Sequence, residues 1–139
     1  MKALLDSSVL IAALTPDEER HSESLMLLMQ GGNSVYSHAI LETFSTLTGG
    51  RLGVKVGVEL ALRLITDTII PQVNIVELGA QEVIGALTQS KSRGVRVGGV
   101  YDFMHLVAAR KAGVEIVYTI NCPDFQHLIR AGDPEVRYP

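Results

Sequence analysis

Strand-length apolar runs alternating with helix-length amphipathic stretches predict an α/β domain with a short, mostly parallel central sheet. Three observations carry that expectation. The chain has 139 residues, 47% hydrophobic and only 19% charged, which suits one well-filled core. Apolar or alternating runs recur at 2–6, 34–37, 72–76 and 115–119, with helical patterns between them. No repeat, low-complexity tract or linker marks a second unit, so residues 1–139 read as one domain.

Residues 2–6 read as a buried strand giving way to a turn or helix start at Asp6-Ser7-Ser8. A helix is expected around 17–31, because Asp17-Glu18-Glu19 favours a helix N-terminus and Gly31-Gly32 stops it. Ser34-Val35-Tyr36-Ser37 makes a second strand. In 39–48, Ile40, Leu41, Phe44 and Leu47 fall on one helical face, leaving Glu42, Ser45 and Thr46 opposite. Gly49-Gly50 and Gly53 break the chain before a helix near 56–67, which predicts a projecting helical hairpin. A third strand at 72–76 precedes a helix over 79–91 and a basic, glycine-rich loop from Lys91 to Gly99. A helix over 101–112 stops at Gly113. A fourth strand at 115–119, a short helix at 124–130 and an edge strand at Val136 complete the pattern.

The mean hydropathy of +0.25 is high for a solitary soluble domain, so some apolar surface is expected to meet a subunit or partner. No stretch approaches the roughly 20 apolar residues that span a bilayer. The N-terminal run reaches Asp6 too soon for a signal peptide. A lone Cys122 cannot form an internal disulfide. A cytoplasmic protein without membrane association is therefore expected. The net charge of −3 disfavours a nucleic-acid partner at first sight. Setting aside four acids that share a site turns that charge to +1. Arg51, Lys55, Lys91, Arg93, Arg96, Arg110 and Lys111 offer a basic rim, although each on its own reads as an ordinary solubilising charge.

Those four acids are Asp6, Glu42, Asp102 and Asp124. In a parallel sheet, ligands bind outside the carboxyl ends of the strands, and this element order delivers all four acids to that rim. Gathered carboxylates repel unless a cation such as Mg²⁺ or Mn²⁺ holds them. Such an ion suits metal-assisted hydrolysis of phosphodiesters. Each acid also has a plainer reading: Asp6 and Asp124 as helix N-caps, Glu42 on a solvated face, Asp102 as a first-turn charge. Their joint placement favours the metal reading. His21, His38 and His127 form no zinc-ligand spacing. His105, one turn after Asp102, reads as a satisfied, partly buried imidazole. Tyr36, Tyr101, Phe103 and Phe125 are candidates for stacking bases, with core packing expected for the two phenylalanines.

Leu5-Asp6-Ser7-Ser8-Val9-Leu10-Ile11-Ala12, the helical Glu42, Tyr101-Asp102 and Thr119-Ile120-Asn121-Cys122-Pro123-Asp124-Phe125 recur together in order. With them, the whole chain resembles the PIN-domain ribonucleases, and in size and spacing the toxins of bacterial VapBC toxin–antitoxin pairs. The resemblance implies a three-layer α/β/α fold and a metal-dependent endoribonuclease. It implies Asp6 and Asp102 as direct Mg²⁺ or Mn²⁺ ligands, with Glu42 and Asp124 acting through waters. Thr119 and Asn121 match polar pocket positions, as does Ser8. Also implied are an RNA substrate of the tRNA or rRNA class, a cognate antitoxin and a homodimer. Cys122-Pro123 departs from the polar residues usual there, which bears on how Asp124 is presented. The helical hairpin and the loop around Arg93 and Arg96 are the expected RNA contacts. The alternatives are a non-catalytic binding module, or another phosphate-handling domain such as a receiver or aspartyl phosphatase. Ser7-Ser8 after Asp6 lacks the second acid those last two need.

Overall fold

The computed structural model describes residues 2–50, 55–96 and 98–139. Five short strands run parallel: β1 (Leu4–Leu5), β2 (Asn33–Tyr36), β3 (Val73–Val76), β4 (Ile116–Tyr118) and β5 (Glu135–Arg137). Their order is β3-β2-β1-β4-β5, with Leu4 opposite both Ser34 and Val117. Chain order thus reverses at β1, and the carboxyl end of β1 is the topological switch point where parallel sheets place ligands. Asp6 is the next residue.

The helices are α1 (Ser7–Leu14), α2 (His21–Met29), α3 (His38–Gly49), α4 (Val58–Leu64), α5 (Ala80–Leu87), α6 (Gly99–Ala112) and α7 (Cys122–Gln126). Successive strand residues point to opposite faces, so the two residues of β1 feed two cores. Leu5 packs with Val9, Leu10 and Ala13 of α1, with Leu28, and with Ile65 and Ile69 beyond α4. Leu4 packs on the other face with Ala108 and Ala109 of α6 and with Phe125 of α7. This is the three-layer α/β/α arrangement. Both leucines are fully buried, each worth on the order of 2 kcal/mol. Phe103 and Phe125 are core residues, as expected.

Several boundaries differ from the sequence expectation. The turn at Asp6 opens a full helix, α1. Its Val9 to Ala13 are all buried, so no amphipathic period betrays it. The helix expected at 17–31 is shorter. Residues 15–20 form turns (Glu18 N–H to Thr15 O, 3.0 Å; His21 N–H to Glu18 O, 3.1 Å), and α2 starts only at His21. In α3 the buried face is Ala39, Thr43, Thr46 and Leu47, whereas Leu41 is 64% exposed. The helix is rotated from the expected face because small and β-branched residues pack against the sheet side. The Thr43 hydroxyl is satisfied there by the Ala39 carbonyl at 2.7 Å. The helix expected at 56–67 runs on from α4 through one π-helical turn, Ile65–Ile69, and a 3-10 turn, Ile70–Gln72. The helix expected over 79–91 ends at Leu87. The last helix begins at Cys122, with Pro123 in its first turn. Arg51 and Gly53 lie outside the described residues. Among the described residues, no helix is long and apolar enough to cross a membrane.

Candidate active site

Asp6 is fixed from four directions. Its N–H donates to the Tyr118 carbonyl at 3.1 Å, pinning the end of β1 to β4. Its Oδ1 caps α1, accepting from the N–H groups of Ser8 (2.9 Å) and Val9 (3.3 Å) and from Ser8 Oγ (2.5 Å). Its Oδ2 accepts from Thr119 Oγ1 at 2.7 Å. The capping role and the site role therefore coexist in one carboxylate. Ser8 and Thr119 also lock the loop after β4: Ser8 Oγ accepts the Ile120 N–H (2.9 Å), and Thr119 Oγ1 accepts the Asn121 N–H (3.0 Å). Asp6 is only 3% exposed, and burial pushes its carboxyl above the usual range against the pull of His105 and these donors.

Glu42, on α3, lives in a different environment. Its Oε1 contacts His38 Nδ1 at 2.9 Å and His105 Nε2 at 2.8 Å, and its Oε2 accepts from Ser7 Oγ at 2.9 Å. Burial alone would raise its pKa, but the His105 hydrogen bond and charge, with His38 and Ser7, hold it at about 2. His105 is 1% exposed and ion-paired to Glu42. Its own pKa is raised because the Glu42 bond and the Asp6, Glu42 and Asp102 charges outweigh desolvation. The expectation of a fully satisfied imidazole is half met, since His105 Nδ1 is buried with no protein partner among the described residues.

Asp102 sits in the first turn of α6. No side-chain hydrogen bond to it occurs among the described residues, and burial together with the Asp6, Asp124 and Glu42 charges pushes it up to about 6. Asp124 is exposed in the first turn of α7. A cleft of about 420 Å³ is lined by Asp6, Ser8, Glu42, Asp102 and Asn121, among others. Asp102 and Asp124 line an adjoining hollow of about 330 Å³ with Arg96 and His127. Asp6, Glu42, Asp102 and Asn121 thus share one cleft. Thr119 lies buried beneath it, and Asp124 stands in the neighbouring hollow, coupled by charge to Asp102.

The donor set fits a hard cation. The carboxylates offer only oxygen, no side-chain hydrogen bond to Asp102 occurs among the described residues, and burial together with the Asp6, Asp124 and Glu42 charges raises its pKa, a cost that a dication would relieve. Among the described residues, no three His, Cys, Asp or Glu side chains gather tightly enough to hold an ion by themselves. An ion here would complete its shell with water or phosphate oxygens, as Mg²⁺ commonly does.

Ser7, His38 and His105 are the residues that sequence reading left out of the site. The His38-to-Glu42 spacing of four on a helix was the signal that could have found one of them. The expected role of Arg93 also changes. Its guanidinium pairs with Asp133 and donates to the Leu128 carbonyl at 3.2 Å, which makes it an anchor for its loop. Lys111 is tied to Glu82 at 2.8 Å. Arg96 instead faces the hollow beside Asp102 and Asp124.

A parallel sheet of this order with carboxylates at the switch point defines an α/β domain with an acidic cleft at the end of β1. The chain belongs to the PIN-domain family, whose profile matches residues 3–122, spanning Asp6, Glu42 and Asp102 and stopping short of Asp124. Its fold is similar to that of VapC20 of Mycobacterium tuberculosis, a sarcin–ricin loop cleaving toxin (TM-score 0.72, 16% identity, 96% of this chain and 100% of that one). It is also similar to VapBC2 from Rickettsia felis, solved bound to a promoter DNA fragment (TM-score 0.68, 14% identity, 99% and 98%). A toxin–antitoxin complex from Klebsiella pneumoniae matches as well (TM-score 0.65, 20% identity, 99% and 98%). At these identities the likeness establishes the fold. No curated protein matches the sequence.

Proposed function

We propose that this chain is a metal-dependent endoribonuclease, the toxin of a toxin–antitoxin pair. The observation that carries the reading is a cleft lined by both Asp6 and Asp102, in which Asp102 feels the Asp6 charge and neither acid has, among the described residues, an imidazole hydrogen-bonded to it as Glu42 has. Membership of the PIN-domain family supports it, as does a fold shared with a toxin that cleaves the sarcin–ricin loop.

Asp6 and Asp102 would hold Mg²⁺ or Mn²⁺, with Asp124 and Glu42 acting through waters. The bound ion supplies Lewis-acid charge where negative charge develops on the phosphate. The chain's own residues do the rest. Ser8 and Thr119 hold Asp6 in one rotamer, so the carboxylate needs no reorganisation when substrate arrives. Asn121, exposed at the cleft, offers amide donors to phosphate oxygens. The Glu42–His105 pair braces α3 against α6, the two helices that carry the opposing acids. Water would then attack the phosphorus in line, the P–O bond opposite it would break, and the leaving oxygen would take up a proton from solvent.

The substrate is RNA of the tRNA or rRNA class. Leu41, Val58, Leu60 and Leu62 are exposed on α3 and α4, and they support a cognate antitoxin or a second copy of the chain as partner. Total cellular RNA incubated with the protein, with and without Mn²⁺, tests the reading when new ends are mapped. Cleavage should require the ion and vanish in Asp6→Asn and Asp102→Asn. Cutting by either variant at the wild-type rate would overturn it.

A further inference from the structure

Beside the acidic cleft, three aromatic rings form a stack that the proposed hydrolysis does not use. His38 stacks on Tyr101 with centroids 5.4 Å apart and planes 13° from parallel. On its other contact it stacks with Tyr36 at 6.1 Å and 26°. Tyr36 in turn packs against the Leu4 core and against a neighbouring cluster of Phe103, Met104, Leu106 and Leu128, and meets the ring of buried His105 edge-on at 5.5 Å. The foot of the stack is thus anchored in the protein interior. Its middle ring is held by the His38–Glu42 contact, which fixes the imidazole's orientation. The last ring, Tyr101, is 54% exposed, whereas Phe103 two residues on is fully buried.

Core packing explains Phe103 and the inner part of Tyr36, but it leaves the outer ring without a reason to be aromatic. A large ring covered by His38 on one side and exposed by more than half offers a second face to solvent. The ring lies beside the cleft and does not itself line it: its stacking partner His38 does, as does Leu41, which is 64% exposed, and Asp102 follows Tyr101 directly.

We propose that Tyr101, backed by His38 and Tyr36, is a stacking shelf for one unpaired nucleobase of an RNA held in the neighbouring cleft. Base-on-aromatic stacking needs a free π-face on the base, which a base inside a duplex does not have. His38 and Tyr36 already back the ring, and stacking on it therefore orders little of the protein. Sequence preference from such a contact is weak, because every base has a π-face, and preference for strand state is strong. The inference rests on the ribonuclease reading above.

Fluorescence anisotropy of a fluorescein-labelled 12-nucleotide RNA, single-stranded or annealed to its complement, tests it in Ca²⁺ under conditions where the strand stays intact. Wild type should bind the single strand more tightly than the duplex. Tyr101→Ala should weaken single-strand binding about 5- to 100-fold and leave duplex binding unchanged. Tyr101→Phe and Tyr101→Trp should stay within about twofold of wild type, since the ring is kept. Tyr101→Leu, a good helix former, should match the alanine variant at an unchanged melting temperature, which separates loss of the ring from loss of the fold. Single-strand affinity of Tyr101→Ala and Tyr101→Leu equal to that of wild type would overturn the shelf and leave the ribonuclease reading intact. A wild-type chain that binds neither RNA would sink both.

Discussion

Asp6 and Glu42 line one cleft, yet their surroundings drive them in opposite directions. Glu42 meets two imidazoles and a hydroxyl, and its pKa falls to about 2. Asp6 meets hydroxyls and backbone N–H groups in a buried pocket and is raised. Asp102, without a donor among the described residues, is raised to about 6. One side of the cleft is already neutralised by the protein; the other carries charge that the fold alone does not balance. Acids of the same type in the same site therefore have separate jobs, set by their donors and not by their residue type. Glu42 organises, and the Asp6–Asp102 side is where the proposed cation would sit.

The contrast can be broken from the Glu42 side. Glu42→Ala strands the buried His105 Nε2 and should cost about 2–4 kcal/mol of stability, read as a lower urea midpoint with the slope unchanged. Glu42→Gln keeps an acceptor and should lose less. An unchanged midpoint for the alanine variant would show that the histidine pair does not brace the site.

The second effect is smaller and concerns pH. In chelator, Asp102 is raised from an ordinary 3.8 to about 6 in the folded chain, so between these values the folded state binds more protons than the unfolded one. Stability attributable to Asp102 therefore falls as pH rises from about 4 to about 6. Glu42 does the reverse: its contribution is present above 4.5 and is lost as pH falls towards about 2. The stability advantage of Asp102→Asn over wild type should thus grow across pH 4 to 6 and level off above. A constant difference would mean that neither burial nor the neighbouring charges raise Asp102.

Much of this was legible in the sequence, because strand runs and glycine stops are local signals. The parallel sheet, the edge strand at Val136 and the meeting of Asp6, Glu42 and Asp102 in one cleft follow from element order, and the burial of Phe103 and Phe125 from their apolar rings; Asp124 stands in the adjoining hollow. Where the reading failed, the deciding physics was not local. Helix α1 is buried on all sides, so periodicity had nothing to register. The rotation of α3 that exposes Leu41 depends on what packs across from it. The Glu42–His105 pair joins residues 63 positions apart, and the capture of Arg93 by Asp133 joins residues 40 apart; no spacing rule reports either. Lone histidines in particular look alike until their partners are known.

The central claim, that the Asp6–Asp102 side awaits a cation while the Glu42 side does not, is tested most directly by thermal melting against Mn²⁺. Wild type should gain a saturable rise in melting temperature, Glu42→Gln should keep most of that rise, and Asp102→Asn should start higher in chelator and gain almost nothing. A rise in Asp102→Asn as large as that of wild type would contradict the account.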